Sequence, residues 1–296
     1  MLLVDLNDLL QKQGIDPEQV IVLRHRPSEP KFNKVFPWLA ADKPDWFNAY
    51  QQTQGERVEK AMKGAAYVAS FIGHEPGKAL FIGLYSIGPT KPLTHEEYWK
   101  VPAYIEMKAL GMKGFTEEDD PRPSILWFDL TLKKDFYASW KGKLVVGWPP
   151  PERSWWRRAH RNEMPVIAIL EDSALDTDMP AWDEISLTWE ELSVLPTRWR
   201  SALCQWRAIY YIFDTSDGKG YVGSAYGGDN LCHRWENYGI SGHGGNTLLK
   251  KRHPKNFLFT ILQRVSPDMD AGDVIHVENT WKERLHTRAP HGLNDN

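Results

Sequence analysis

Two tyrosines, an arginine, a glutamate and an asparagine in the last ninety residues have the types and order that phosphodiester chemistry needs. Breaking such a bond takes a nucleophilic water, a group to receive its proton, and positive charge on the phosphate oxygens as they fill. Tyr210 in RAIYYIFD (207–214) and Tyr221 in GYVGSA (220–225) lie eleven positions apart, with a glycine-containing turn between them. The two segments therefore pair as a hairpin and can bring both hydroxyls to one pocket. Arg234 and Tyr238 in HRWENYG (233–239) are an i, i+4 pair and project from one helix face. Arginine suits phosphate because its planar fork meets two oxygens and stays protonated. Glu278 sits in IHVEN (275–279) and Asn294 in HGLNDN (291–296). A metal ion held by a carboxylate would supply further charge and lower the pKa of a bound water.

These residues need a small scaffold, and the sequence spells one out. AIYYIFD is a strand, TSDGKG a turn, and GYVGSA its return partner. LCHRWENYG starts a helix ended by Gly239, Gly242–Gly245 makes a glycine-rich turn, and NTLLKKRH opens a second helix. NFLFTILQRV is a strand and DVIHVENTWKERLHTR a long helix, giving an α+β unit with a three-stranded antiparallel sheet. Tyr211 should face away from Tyr210, because strand neighbours point to opposite faces. Trp235 and Trp281 belong in the core. His233, His243 and His253 are ten apart and lack zinc-ligand spacing. The glycines of GYVGSAYGGDN are not followed by the Gly-Lys-Ser/Thr of a phosphate-binding Walker loop.

The stretch 207–296 resembles the GIY-YIG nuclease superfamily, which includes homing endonucleases, some restriction enzymes and excision-repair nucleases. The first motif stands here as Ala208-Ile209-Tyr210, without its usual leading glycine, and the second as Tyr221-Val222-Gly223 followed by Ser224. The resemblance implies that Tyr210 is a general base or water-orienting group and that Tyr221 shapes and polarises the site. It implies that Arg234 stabilises transition-state charge and that Tyr238 occupies a position that is His or Tyr in the family. Glu278 would bind one Mg²⁺ or Mn²⁺, and Asn294 would align the site. By the same resemblance Lys219 would contact phosphate, with His243 and Asn246 as secondary contacts. A tyrosine of ordinary pKa, about 10, is a poor base at neutral pH and needs help from Arg234 or a metal-bound water.

Ahead of this module lies a longer one, and 296 residues suffice for both. Residues 5–13 read as a helix and 19–27 (QVIVLRHRP) as a strand running into a basic loop; 45–70 is helical with a strand near its end. ALFIGLYSIG (79–88), SILWFDLTL (124–132), KLVVGW (143–148) and PVIAIL (165–170) are strands, which suggests a compact barrel or strongly bent sheet. Residues 110–123 read as a mobile loop. LTWEELSVLP (187–196) carries a capping box, Thr188 with Glu191, and the boundary falls near 197, giving modules 1–197 and 198–296. In RSWWRRAHR (153–161), Arg153, Arg157 and Arg158 surround Trp155 and Trp156; such a segment can grip phosphates and stack on bases, or bury its Trp pair. With LRHRP it could form a DNA-reading surface, one that accepts a flipped or modified base between aromatics.

Composition bounds the alternatives. Residues 198–296 hold 13 Lys/Arg against 10 Asp/Glu, and residues 1–197 hold 23 against 29, so the nuclease-like end is the basic one despite a net charge of −3. Two cysteines, Cys204 and Cys232, make no disulfide framework or thiolate zinc site, which points to the cytoplasm. Asp5 and Asp8 interrupt the initial apolar stretch, unlike a signal peptide. No apolar run reaches the ~20 residues of a membrane span. The expectation is a metal-dependent endonuclease acting on double-stranded DNA, in restriction or anti-phage defence, with the first module choosing the target; a homodimer is compatible with it. The alternatives are a repair or mobile-element endonuclease, or a non-catalytic DNA-binding protein.

Overall fold

Continuous apolar runs build the first sheet. QVIVLRH shows no polar alternation, the pattern of a strand covered on both faces, and β1 (Val20–His25) is buried along its whole length. The strands that follow are β2 (Tyr67–Gly73), β3 (Lys78–Thr94), β4 (Ser124–Leu132), β5 (Leu144–Gly147), β6 (Trp156–Arg158) and β7 (Val166–Ile169). The computed structural model describes residues 4–226, 230–241 and 243–295. It is a mixed α+β protein that divides into two compact units, Met1–Thr177 and Asp178–Asn296.

In the first unit the strand order is β6-β1-β2-β3-β5-β7, with β4 pairing the far half of the long β3. β1 and β2 are parallel and joined through the helices Pro30–Asp42, Pro44–Gln52 and Glu56–Met62, while the other pairs are antiparallel. Of the compact barrel and the strongly bent sheet expected from sequence, the second is found: a curled, open half-barrel with β6 and β7 at its edges. Register shifts at Ser70/Phe71, Ile87/Thr90 and Val145/Val146 each add local twist. Alternation along β1 feeds two cores: Val20 and Val22 pack with Leu10, Phe71, Phe81 and Val146, and Ile21 and Leu23 with Val58, Met62, Val68 and Phe128.

Residues 30–42 form a helix in spite of Pro37, because Phe32, Val35, Phe36 and Leu39 bury one face and Pro30 sits at its first turn. Two local expectations change. The 110–123 loop is anchored: Met112 and Phe115 are buried, and Arg122 pairs with Glu59 at 2.8 Å and Asp120 at 2.6 Å. Arg157 is not a DNA-facing cation. It is buried, donates to the carbonyls of Pro149 (2.8 Å), Trp156 (2.9 Å) and Pro151 (3.1 Å), and stacks 5.3 Å from the Trp148 ring centroid.

The second unit holds β8 (Ser186–Thr188), β9 (Arg207–Asp214), β10 (Lys219–Ala225) and β11 (Phe257–Val265), in the order β10-β9-β11-β8 and antiparallel throughout. The sheet thus has four strands rather than three. Its fourth strand precedes residue 197, so the boundary moves back to Thr177/Asp178. Thr188 caps the turn Trp189–Leu192 with the expected Glu191 capping box. The helix Leu231–Ser241 continues past Gly239, and NTLLKKRH forms only a single 3₁₀ turn, Leu249–Lys251. Of the glycine-rich turn, position 242 lies outside the described residues, as do 227–229 of GYVGSAYGGDN. The helix Ala271–Arg284 lays Val274 on Ile209 and Val222. No helix among the described residues is long and apolar enough to cross a membrane.

Replacing Arg157 with Met would leave the carbonyls of Pro149, Pro151 and Trp156 without this donor. Hydrogen bonds to charged groups contribute about 1.5–3 kcal/mol, so urea denaturation should register a loss of that order. An unchanged midpoint would show that the guanidinium is not structural.

Candidate active site

Strand alternation places Tyr210 and Tyr211 on opposite faces, as expected. Tyr211 joins the cluster beneath the helix Ala271–Arg284, while Tyr210 is fully buried on the other face. Gly223 lies directly opposite Tyr210 in the β9–β10 register. A Cβ at 223 would come within 2.5 Å of the Tyr210 hydroxyl, so the tyrosine can take its place only over a glycine. The hydroxyl meets that of Tyr238, one turn of helix beyond Arg234, at 3.1 Å. Tyr238 in turn is backed by Gly244, whose φ is +53° and where a Cβ would lie 2.7 Å from the Tyr238 ring. The Tyr221 ring centroid is 6.4 Å from that of Tyr210 and 6.3 Å from that of Tyr238.

Burial pushes the Tyr210, Tyr221 and Tyr238 phenols up, so all three stay protonated at neutral pH. Arg234 shifts in the same direction, raised first by the neighbouring Tyr210, and its guanidinium keeps its charge. Its Nε finds no partner among the described residues although it is buried. With one hydroxyl of the Tyr210–Tyr238 pair donating to the other, two hydroxyl donors and a guanidinium with donor capacity to spare make this corner suited to an anionic oxygen.

No family model, curated protein or solved structure matches this chain. The chemistry of the site is therefore read from its own geometry.

Glu278 reaches the edge of this cluster, close enough that its charge raises the Tyr221 phenol further. Its Oε2 accepts from the Ser224 hydroxyl and its Oε1 lies 2.7 Å from Lys282 Nζ. Neither partner was singled out in the sequence. The i, i+4 spacing of Glu278 and Lys282 was a legible signal, and Ser224 follows the second tyrosine motif. Among the described residues no group of three or more His, Cys, Asp or Glu is arranged to hold an ion. The single carboxylate still fits Mg²⁺, which is commonly held by one or two carboxylates while water and substrate phosphate complete its shell. Lys282 would have to yield Oε1 to it.

The remaining expected residues sit elsewhere. Asn294 bonds to the hairpin backbone: its side chain accepts from Val222 N–H (3.0 Å) and donates to Val222 C=O (2.8 Å), clamping β10 between Tyr221 and Gly223. Lys219 donates to the Pro290 carbonyl at 2.9 Å and lines a separate cleft with Lys251, Arg252 and His253. His243 Nδ1 accepts from Gly245 N–H, and Asn246 Oδ1 accepts from the Leu248 and Leu249 amides, so both hold their turn. In the first unit Trp156 packs on the core and Arg158 is half-buried, whereas Arg153 and Trp155 are exposed.

The raised phenols carry a pH signature. A group whose folded pKa is raised adds stability that is complete below its unfolded value, about 10 for tyrosine, and is lost as pH climbs past it. Phenolate absorbance from this cluster should emerge above about pH 10 together with loss of circular dichroism. A phenolate signal in folded protein at neutral pH, removed by Tyr210→Phe, would contradict the assignment.

Proposed function

We propose that the second unit is a DNA endonuclease of the GIY-YIG kind, cutting phosphodiester bonds with Mg²⁺ or Mn²⁺, in restriction or anti-phage defence. What supports this reading is convergence: a tyrosine from each strand of one hairpin, an arginine and a tyrosine from one helix, and a glutamate from another meet around one buried hydroxyl pair. These are the residues, in the order, on which the sequence resemblance rests. The first unit is assigned the choice of target.

Arg234 binds the non-bridging oxygens of the scissile phosphate, and its charge counts for more as those oxygens fill. Tyr210 and Tyr238, held neutral by burial, donate to oxygen rather than remove protons, so Tyr210 orients water instead of serving as a free base. Tyr221, the most exposed of the three, faces the incoming strand. Ser224 and Lys282 fix the Glu278 carboxylate from both sides. A divalent ion on Glu278 would supply Lewis-acid charge to the phosphate and lower the pKa of a water. The rival reading is a non-catalytic DNA-binding protein; the lysine seated on the cluster's single carboxylate favours it.

Glu278→Ala should abolish cleavage of phage and plasmid DNA while leaving gel-shift binding within a few-fold, and EDTA should do the same to the parent. Cutting that survives either treatment removes the metal assignment, and a parent inert with both ions on modified and unmodified DNA establishes the rival. Arg234→Lys should also cut poorly, since an ammonium cannot make the two-pronged contact.

Tyr210→Phe should slow cleavage on the order of a hundredfold, the lower range for loss of one preorganised hydrogen-bond donor. Tyr211→Phe, on the opposite face, should stay close to the parent. The reverse ranking in single-turnover rates would place the wrong tyrosine in the site.

A further inference from the structure

Two basic-aromatic segments in the first unit, more than a hundred residues apart in sequence, line the same cleft. LRHRP supplies Arg24, His25 and Arg26 at the end of β1, and RSWWRRAHR supplies Arg153 and Trp155 just before β6. The pairing of β6 with β1, extended by the Arg24 N–H to Trp155 C=O bond of 2.7 Å, brings them together. The cleft measures about 780 Å³, within the roughly 300–1,000 Å³ of clefts that enclose a small organic ligand.

Its chemistry narrows the ligand. The floor is aromatic: His25 lies edge-on to Tyr50 and Phe47, each with ring centroids 5.5 Å away. Burial pushes the His25 imidazole down to about 4, so it is neutral and carries one donor and one acceptor nitrogen. Its Nε2 is buried and has no partner among the described residues, and neither has the Nε of the adjacent Arg24. Buried polar atoms are nearly always hydrogen-bonded, so the orphan nitrogen of His25, a lining residue of the cleft, marks a place where a ligand supplies the partner. At the rim Trp155 is 37% exposed, one of the few large apolar side chains turned outward. The lining carries four Arg or Lys and four Asp or Glu. That balance disfavours a highly charged polyphosphate and suits a planar, neutral ring with one attached phosphate.

We propose that this cleft binds a single nucleobase with its adjoining phosphate, the ring stacking on Trp155 and its polar edge meeting His25. The base could arrive extruded from a DNA strand or on a free nucleotide, which share this chemistry. The strand-borne source rests on the nucleic-acid reading of the second unit; the cleft itself does not.

The test uses the full chain in EDTA, so that binding is read without cutting. A short fluorescein-labelled duplex with one central unpaired base is compared by anisotropy with its fully paired counterpart, and nucleoside monophosphates are titrated separately by calorimetry. The unpaired base should tighten binding on the order of tenfold, the scale of one base–aromatic stack. Trp155→Ala should erase that preference and Trp155→Phe should keep most of it. His25→Gln, if folded by circular dichroism, should change which unpaired base is preferred. Mononucleotide binding that depends on Trp155, with no preference between duplexes, would assign the free nucleotide as the source. Equal binding of both duplexes without mononucleotide binding, or a preference indifferent to Trp155, overturns the proposal. A chain that prefers the unpaired base yet never cuts with Mg²⁺ would sink the nuclease reading alone, and one that cuts while showing neither that preference nor mononucleotide binding would sink this one alone.

Discussion

A phenol hydroxyl with no access to water has to find a partner inside the protein, because leaving it unpaired costs about 1–3 kcal/mol. The fully buried Tyr210 imposes that condition on the second unit. Its partner is Tyr238, which fixes the rotation of the helix Leu231–Ser241 and thereby the direction in which Arg234 points. The space for the pair is made by side chains that are not there, at Gly223 beneath one ring and Gly244 behind the other. Asn294 then locks the strand bearing Gly223 through both edges of its amide. Adding one methyl group at 223 would displace a tyrosine, a helix and an arginine in turn.

The first unit depends on a comparable internal satisfaction of polar groups. Trp148 is flanked by two arginines, with Arg24 at 4.8 Å and Arg157 at 5.3 Å from its ring. Other guanidinium nitrogens of the pair donate to carbonyls of the 149–156 segment, including that of Glu152. A proline-rich stretch that cannot donate its own amides is thus held by side-chain donors instead. The same arrangement turns Arg153 and Trp155 outward beside the cleft.

The sequence disclosed what local periodicity controls. The Tyr210/Tyr211 alternation, the hairpin, the Arg234–Tyr238 face and the Thr188–Glu191 cap are all set by neighbours within a few residues, and each appears as read. What it hid was set by distant packing. Ser186–Thr188 is too short to show an alternation, and only the edge of β11 makes it a strand. The helix Pro30–Asp42 went unread, and the buried aromatics on either side of Pro37 carry it through. Arg157 and Arg158 look alike in the sequence, and nothing local tells which will be drawn inward by carbonyls nearby. Asn294 reads as a site residue by its order, but its hydrogen bonds end on Val222, seventy-two positions away.

The three residues of β8 also bear on how the second unit behaves when separated. They cover the outer edge of β11 and are followed by the buried Leu192, Val194 and Leu195. A fragment beginning at 198 would leave the amides and carbonyls of β11 open, in a nine-residue strand rich in Phe, Leu and Ile. An uncapped edge of that kind is a template for a strand from another molecule. Self-association of such a fragment would then reflect a severed sheet and carry no information about how the intact chain assembles.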